Sequence, residues 1–213
     1  MAEIQVILFI MLIGITGSTA SGKTTFAEKL VEEIGPDDCL LIHQDSYYLD
    51  RSHFTEKEIE KVNFDHPDSI DFSLLEKHLE SLKKGQPAKI PHYDYATHKR
   101  SEADQETFPA DIMILEGILV LHSSRIREML DLKIFVYADE EVRLSRRVQR
   151  DVQERGRCTN EVFTQYFDSV KPMDRKFIIP SMKYADLVIP FNEENTTSIR
   201  VIGSFAKNFE SSL

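Results

Sequence analysis

The stretch from Gly17 to Thr24, Gly-Ser-Thr-Ala-Ser-Gly-Lys-Thr, constrains the fold of this chain more than any other. It fits the pattern G-x-x-x-x-G-K-[ST], in which successive backbone N–H groups point into one concavity that binds phosphate. In that pattern the lysine, here Lys23, reaches the β- and γ-phosphates, and the hydroxyl of Thr24 holds Mg²⁺. The sequence therefore predicts a nucleoside triphosphate site with contacts from Gly17, Ser18, Thr19, Ala20, Ser21, Gly22, Lys23, Thr24 and Thr25.

The segments on either side of this loop are those that the pattern requires. The apolar run at 6–15 is typical of a buried parallel strand, and 25–34 carries apolar residues at helical spacing before Gly35 and Pro36. An ordinary glycine-serine turn between a strand and a helix is the alternative, but such a turn need not end in Lys-Thr. The order strand, loop, helix favours the phosphate-binding interpretation.

The N-terminal apolar run is longer than one strand needs. Met11 is a second potential start, and Leu12 to Thr16 suffices for the strand, so we expect residues 1–10 to be an extension whose removal leaves the fold intact. The run lacks a basic n-region and leads directly into the loop, which is atypical of a signal peptide. It is also too short to span a bilayer.

Composition points to one α/β domain over residues 1–213. The chain is 41% hydrophobic and 29% charged, which is enough apolar sequence for a sizeable core. Its formal net charge of −10 argues against nucleic-acid or membrane-surface partners, since both need a basic face. Two cysteines do not make a disulfide framework, so a cytoplasmic protein is expected.

Acidic side chains follow two predicted strands. The run 39–43 ends just before Asp45, which is either a general base beside the phosphate loop or a cap of the next turn. Near its carboxyl end the run 111–117 carries Glu116, which either positions Mg²⁺, directly or through water, or is a plain strand-end acid. Because function collects at the carboxyl ends of parallel strands, we favour the base and the metal interpretations.

The remaining apolar segments complete a mainly parallel five-stranded sheet flanked by helices. Residues 132–137 and 185–190 are predicted as the fourth and fifth strands. Helices are predicted at 55–62 and 72–84, and a closing amphipathic helix carries Ile199, Ile202, Phe205 and Phe209.

Residues 88–95 alternate in polarity and contain Pro91, which predicts an edge strand or a hairpin with a return strand at 106–109. The aromatic side chains of this segment either pack within the hairpin or form a wall that stacks on a base. The residues alone leave both interpretations open.

Six arginines crowd residues 143–157 of this otherwise acidic chain. Arg143, Arg147 and Arg150 fall on one helical face, and arginine suits bidentate phosphate contacts. The alternative is a solvated helix face paired with Asp151 and Glu154. Beside a phosphate loop and two placed acids, a lid that closes on phosphate is favoured.

Taken together, the motifs of this chain resemble the uridine (uridine–cytidine) kinases of the phosphoribulokinase/uridine kinase group, from about Ile13 to Phe209. The Gly17–Thr24 loop alone indicates only a nucleotide site, but the combination is specific to the group. The other motifs are Gln44-Asp45-Ser46-Tyr47-Tyr48, Asn63-Phe64-Asp65-His66-Pro67, Pro91-His92-Tyr93-Asp94-Tyr95, Leu115-Glu116-Gly117-Ile118-Leu119, Arg146-Arg147-Val148-Gln149-Arg150-Asp151, Glu154-Arg155-Gly156-Arg157 and Lys183-Tyr184-Ala185-Asp186.

The resemblance implies a P-loop NTPase fold and a role for each matching residue. Asp45 is similar to the base that takes the proton of the nucleoside 5′-hydroxyl, with Lys23 and Arg150 as its catalytic partners, and Glu116 to the Mg²⁺-side acid. The implied nucleoside site comprises Asp45, Tyr48, Asp65, Tyr93, Tyr95, His98, Arg147 and Gln165. Within it Asp65 and Arg147 hold the ribose hydroxyls, His98 and Tyr93 read the pyrimidine edge, and Tyr95 packs on the base. Arg150, Arg155 and Arg157 resemble a lid that meets the triphosphate.

The same resemblance implies a hairpin over the nucleoside at about 87–110, a lid region at about 143–168, Mg²⁺, and ATP or GTP as phosphate donor. It also implies uridine and cytidine as substrates, feedback inhibition by CTP or UTP, and a homotetramer. A sister kinase acting on pantothenate or a sugar phosphate is the alternative enzyme. A regulatory nucleotide-binding protein is a third reading, weakened because no guanine-reading N-K-x-D stretch is recognisable.

Three positions depart from the group's usual pattern. Ser18 stands where many relatives carry a second glycine, and Cys158 stands where an acidic or polar residue is usual. Phe191-Asn192-Glu193-Glu194 replaces a common Arg-Gly-Gly turn, and an acidic loop there would be expected to weaken nucleotide contacts or to change the assembly.

Overall fold

The computed structural model describes residues 10–59 and 61–209, and a five-stranded parallel sheet forms its centre. The strands in chain order are β1 (Met11–Thr16), β2 (Cys39–His43), β3 (His92–Asp94), β4 (Lys99–Ser101), β5 (Ile112–Glu116), β6 (Leu132–Tyr137) and β7 (Leu187–Pro190). The sheet order is β2-β5-β1-β6-β7, and β3 and β4 form a separate antiparallel hairpin. The predicted parallel sheet of five strands is confirmed.

Helices cover both faces of this sheet. They are α1 (Lys23–Ile34), α2 (Glu56–Ile59), α3 (Phe72–Lys83), α4 (Ser124–Met129), α5 (Glu140–Gln153), α6 (Thr159–Gln165), α7 (Lys171–Met173) and α8 (Thr196–Lys207). Two π-helical segments, Tyr166–Val170 and Asp174–Ile178, and a 3-10 segment, Ile179–Tyr184, continue the run that α6 begins. None of the helices within these described ranges is long and apolar enough to cross a membrane.

The sequence dictates the burial of the central strand. Every residue of β1 is buried because helices pack on both faces, which is why its sequence reads as a continuous apolar run. On one face Leu12 joins Leu75 and Leu79 of α3 in one core cluster. On the other, Ile13 joins residues of α1 and α8 in a second cluster.

Helices α1 and α8 approach closely at Gly203. A Cβ atom added there would lie 2.6 Å from Cγ of Glu33. Ile199 and Ile202 are buried as predicted, but Phe205 is 46% exposed, so the apolar face of the closing helix is narrower than its sequence spacing suggests.

Two boundaries differ between the prediction and the structure, the end of the N-terminal extension and the return strand of the hairpin. Ile10, which the sequence assigns to the extension, is only 3% exposed and belongs to the core, whereas residues 1–9 lie outside the described residues. The expected return strand at 106–109 is wrong, since only Thr107 pairs there, with Ala88. The chain turns back earlier because Asp94 accepts hydrogen bonds from Ala96 N and Thr97 Oγ1, and His98 adopts φ +53°.

Candidate active site

The phosphate loop lies where β1 ends and α1 begins. Gly22 has φ +91°, and a Cβ atom there would lie 2.4 Å from the Phe191 ring, so both the backbone and the packing favour glycine. The first turn of α1 carries no acidic residue, which leaves its positive end free to attract an anion. Lys23 and Thr24 are the first two residues of this helix.

Adjacent strands bring the two predicted acids to the same edge of the sheet. In the ladders, Ile15 pairs with Glu116 and His43 pairs with the same glutamate, so β1, β5 and β2 end side by side. Thr24 Oγ1 donates to Glu116 Oε2 at 3.2 Å, and His43 Nδ1 lies 2.9 Å from Glu116 Oε1. Sequence reasoning missed His43, although its place at the end of a predicted strand was a usable signal.

Neighbouring charges set the protonation of these acids. Burial alone would raise the pKa of Glu116, but the hydrogen bond to His43 and the charge of Lys23 hold its pKa below the usual range. Burial, followed by the charge of Glu116, raises the pKa of Asp45, whereas Lys23 and Tyr95 oppose that rise. Glu116 is therefore the more firmly ionised of the two, as suits a carboxylate beside a cation.

The donor set at Glu116 fits Mg²⁺. Two oxygens, Thr24 Oγ1 and a carboxylate oxygen of Glu116, lie together beside the phosphate loop. No group of three or more His, Cys, Asp and Glu side chains at residues 10–59 and 61–209 could hold a metal ion. Mg²⁺ is usually bound by one or two protein oxygens together with substrate phosphates and water, so this sparse set suits it.

Asp45 lies in a short 3-10 segment, Gln44–Tyr47, directly after β2. That segment has no side-chain cap, so the expectation that Asp45 acts as a cap finds no support. Its Oδ2 instead accepts a hydrogen bond of 2.8 Å from the hydroxyl of Tyr95, fifty positions further along the chain.

The aromatic residues of the implied nucleoside site divide into two groups. Tyr48 and Tyr93 are 7% and 5% exposed, and their ring centroids are 5.2 Å apart, so they pack in the core. His98 stacks on Phe64 and lies 3.3 Å from the Tyr93 hydroxyl. Tyr95 is 53% exposed and lines the cleft. The aromatic residues of the hairpin therefore take both expected positions, with Tyr93 packed in the core and Tyr95 in the wall of the cleft.

Helix α5 connects the phosphate loop to the implied nucleoside residues. Arg147 is buried and donates to Thr19 Oγ1 and to Gln165 Oε1, both at 2.9 Å. Burial raises the pKa of Asp65, and the charge of Arg147 opposes that rise. Arg157 donates to the same oxygen of Gln165 at 2.7 Å.

Four arginines, two of α5 and two of the loop after it, converge on Asp151, whose side chain is fully buried. Arg150 Nη2 and Arg157 Nη1 lie 2.8 and 3.2 Å from its oxygens, and Arg147 and Arg155 lie at 3.7 and 3.8 Å. The pairing with Asp151 that the solvated-face alternative expects is therefore present, and Arg150, Arg155 and Arg157 remain partly exposed. Arg143 and Arg147 of the same helix are buried, so the face is solvated only in part. Arg143 also leaves the predicted phosphate face, because it is buried against Asp174 at 3.3 Å and donates to the Ala138 carbonyl.

A cleft of about 560 Å³ brings Asp45 together with part of the predicted phosphate site. Ala20, Gly22 and Thr25 line it, whereas Gly17, Ser18, Thr19 and Ser21 do not. Its walls include Lys23, Thr24, Asp45, Glu116, Tyr95, Arg150 and Arg155, together with His43, Arg146, Gln149, Gln153 and Glu154, which sequence reasoning had not placed there. Tyr48, Asp65, Tyr93, His98, Arg147, Arg157 and Gln165 are not among the lining residues of this cleft.

The segment 191–194, which replaces the common Arg-Gly-Gly turn, packs against the phosphate loop and α1. Phe191 is buried and packs edge-on against Phe26, with ring centroids 5.8 Å apart. Arg146 donates to the carbonyls of Phe191 and Asn192, at 2.9 and 2.6 Å. Glu194 pairs with Lys29 of α1 at 2.7 Å, so part of its negative charge is compensated. At another departure from the group's pattern, Cys158 is the N-cap of α6, and its backbone N–H donates to Glu161.

A phosphate loop between β1 and α1, acids at the ends of two adjacent strands, and an arginine-bearing helix across the cleft define a kinase of the P-loop fold. The model of the Phosphoribulokinase / Uridine kinase family matches residues 12–198, and the chain belongs to this family. The chain is therefore a kinase, a transferase with a P-loop nucleotide site.

Individual relatives agree with this assignment. The uridine kinase of Lactococcus lactis is 45% identical over 192 residues, covering 90% of this chain and 93% of that protein. The uridine kinase of Clostridium perfringens is 46% identical over 190 residues, covering 89% and 91%. The phosphoribulokinase of Rhodobacter spheroides shares the fold, with a TM-score of 0.60 at 14% identity over 86% of this chain and 70% of that one.

Proposed function

We propose that this protein transfers the γ-phosphate of ATP to the 5′-hydroxyl of uridine and cytidine, giving UMP and CMP for pyrimidine salvage. The observation that carries the proposal is the position of Asp45. It stands in the same cleft as Lys23 and Thr24, at the edge where Glu116 ends the neighbouring strand. Relatives that bear the name uridine kinase cover nine-tenths of the chain, which supports the choice of acceptor.

The phosphate side of the reaction is assigned to residues carried by β1, α1 and β5. The loop from Gly17 to Thr25 cradles the triphosphate, with Lys23 on its outer phosphates. Thr24 and Glu116 would hold Mg²⁺, which neutralises charge on the phosphates when it is bound. Phosphoryl transfer asks the protein mainly for alignment and electrostatic stabilisation, and these residues provide both.

Asp45 is assigned as the base. Its ionised carboxylate would accept the proton of the attacking 5′-hydroxyl, and its raised pKa strengthens it as an acceptor. Arg150, Arg155 and Arg157 would meet the triphosphate from the opposite wall. Closure of this side would exclude water, which limits wasteful ATP hydrolysis.

The acceptor is assigned to the hairpin and the buried polar residues behind the cleft. Asp65 and Arg147 would hold the ribose hydroxyls, Tyr93 and His98 would read the pyrimidine edge, and the Tyr95 ring would pack on the base. Tyr48 and Gln165 complete this set. The contact of Arg147 with both Thr19 and Gln165 supports a shared boundary between the two substrates.

The resemblance further supports a cytoplasmic homotetramer inhibited by CTP or UTP, with GTP as an alternative donor. A hairpin over the nucleoside at 87–110 and a lid at 143–168 belong to the same proposal. Light scattering of the purified protein tests the tetramer, and titration of CTP and UTP into the kinase assay tests the inhibition.

A coupled ADP-release assay tests the activity itself. Purified protein with ATP and Mg²⁺ is offered uridine, cytidine, pantothenate and a sugar phosphate in parallel, and turnover is expected with the two nucleosides. Turnover with pantothenate or the sugar phosphate alone would identify a sister kinase instead. GTP-selective binding without any acceptor would indicate a nucleotide-binding regulator.

A further inference from the structure

Tyr95 differs from the other aromatic side chains of the hairpin. Tyr93, two residues earlier, is buried in the core, whereas Tyr95 is more than half exposed and projects into the cleft. Its hydroxyl donates to Asp45 Oδ2 at 2.8 Å, across the gap between the hairpin and the end of β2. One side chain of the hairpin therefore contacts the residue assigned as the base.

The contact has the geometry that an acceptor substrate would need. A general base must lie about 2.6–3.2 Å from the oxygen whose proton it takes. The Tyr95 hydroxyl holds one carboxylate oxygen of Asp45 within that range. Although much of the side chain is exposed, desolvation of its hydroxyl, together with the negative charge of Asp45, raises the pKa of Tyr95, so the group remains a neutral O–H donor, as an alcohol is.

The attachment of the hairpin that carries Tyr95 allows a substrate to replace the contact between Tyr95 and Asp45. Strands β3 and β4 pair with each other and not with the central sheet. Tyr95 follows β3, and the guanidinium of Arg155 lies 5.9 Å from the centroid of its ring. The ring thus lies between the base and an arginine of the opposite wall, and it can withdraw without breaking a strand of the central sheet.

We propose that the Tyr95 hydroxyl is a placeholder for the acceptor hydroxyl. In the nucleoside-free protein it occupies Asp45 and keeps water from using that base. A nucleoside 5′-hydroxyl displaces it, and the freed ring remains beside the substrate. The proposal rests on the assignment of Asp45 as the base in the proposed function. It adds a reason why ATP is not hydrolysed before an acceptor binds.

The first test is Tyr95→Phe, with ADP release measured in ATP and Mg²⁺ without nucleoside. We expect hydrolysis to rise about tenfold, the factor that loss of one hydrogen bond to a charged group corresponds to. In that hydrolysis the water oxygen bonds to the γ-phosphorus, the bond to the β–γ bridging oxygen breaks, and the water proton passes to Asp45. A gain of hydrolysis is not expected from a merely damaged protein.

The matched control is Tyr184→Phe, which removes the hydroxyl of another exposed tyrosine, one whose ring stacks on Arg127 and does not line the cleft. This control should leave hydrolysis unchanged. Tyr95→Leu, a second variant without the hydroxyl, should also raise hydrolysis, and unchanged hydrolysis in both Tyr95 variants would overturn the proposal.

The second test adds Asp45→Asn to Tyr95→Phe, and the gain in hydrolysis should disappear because the base is gone. With uridine present, Tyr95→Phe alone should lower the KM for uridine by about threefold to tenfold and leave kcat within about twofold. A fall in kcat of tenfold or more would show that Tyr95 stays on Asp45 during transfer, which contradicts a placeholder.

The outcomes separate this proposal from the proposed function. The hydrolysis measurements need no nucleoside, so an Asp45-dependent gain would support the placeholder even if uridine and cytidine were not phosphorylated. Conversely, nucleoside phosphorylation without any gain in hydrolysis would leave the proposed function intact and overturn the placeholder.

Discussion

The two walls of the cleft are held in different ways. On one wall the phosphate loop follows β1, Asp45 follows β2 and Glu116 ends β5, and the backbone ladders of these strands fix their relative positions. On the other, the hairpin and the arginines of α5 are held largely by contacts between side chains, such as Tyr95 with Asp45 and Arg147 with Gln165. Contacts of the second kind can be exchanged for contacts with a substrate, whereas a sheet ladder cannot.

This difference suggests that the two walls of the cleft have different roles. The sheet-held wall aligns phosphate, metal and base before any substrate binds, which saves reorganisation at the moment of reaction. The side-chain-held wall keeps its charged groups paired until ligands replace the partners. Variants of the first wall should therefore act mainly on the rate of transfer or on the fold, and variants of the second mainly on substrate binding.

The largest expected effect is that of Asp45→Asn. We expect kcat to fall by about 10²–10⁴, the range that general-base catalysis supplies. The KM for ATP should change little because the phosphates are held by the loop, and steady-state kinetics separates the two parameters. Asp37→Asn, an exposed acid in the turn before β2, is the control that should behave as wild type. A near-normal kcat for Asp45→Asn would show that this wall positions a structural acid rather than a base.

A second variant tests how tightly the phosphate loop is packed. Gly22→Ala must adopt the left-handed φ of +91° and place its Cβ 2.4 Å from the Phe191 ring. We expect the free energy of unfolding to fall by about 3 kcal/mol, combining the left-handed strain with overpacking. Urea denaturation measures it.

Gly156→Ala is the matched comparison, since Gly156 has φ +65° but nothing within 4 Å of the added Cβ. It should cost only about 1 kcal/mol, the conformational part. Equal losses for the two variants would show that the contact with Phe191 is relaxed easily, and the two walls would then be equally adaptable.

The side-chain-held wall is tested through its buried acid. Asp151→Asn removes the charge around which four arginines gather. Breaking a buried ion pair typically costs about 3–5 kcal/mol. Three of these arginines are 31–42% exposed and can hydrate, so we expect about 2 kcal/mol of lost stability.

The same variant should raise the KM for ATP by about tenfold, because arginines that have lost their shared partner no longer stand ready for phosphate. Asp168→Asn, an exposed acid in the helical run after α6, should change neither quantity. An unchanged KM would mean that Asp151 only supports packing, and the proposed lid would lose its organising residue.

The sheet-held wall was also the more predictable one. Strands β2 and β6 have the predicted bounds, because each is a short, mainly apolar run in the sequence. The loop motif fixes where β1 ends and α1 begins, and the acids follow from the strand ends. These features depend on local sequence and on the backbone geometry of one sheet.

The other wall depends on partners that local sequence does not specify. Nothing in the spacing of the arginines separates Arg143, which pairs with Asp174, from Arg147, which reaches the phosphate loop. The turn after Asp94 forms from its own side chain, so the hairpin closes before the expected return strand. The Tyr95–Asp45 contact joins segments whose distance apart no periodicity encodes.

The smallest expected effect concerns the start of the sheet-held wall. Ile10 is 3% exposed and its neighbour Met11 bonds to the Asp111 carbonyl, so a chain that starts at Met11 loses one buried side chain of the core. We compare that truncation with one that keeps Ile10 behind an added Met, so that the two proteins differ chiefly in Ile10. Burial of an isoleucine is worth at least about 1.5 kcal/mol, and for a domain of this size each kcal/mol corresponds to about 2–4 °C. The shorter protein should therefore melt about 3–6 °C lower in a thermal scan, with unchanged kcat because the phosphate loop follows the far end of β1. Equal melting temperatures would show that the sheet-held wall begins only at Met11, as the sequence alone had suggested.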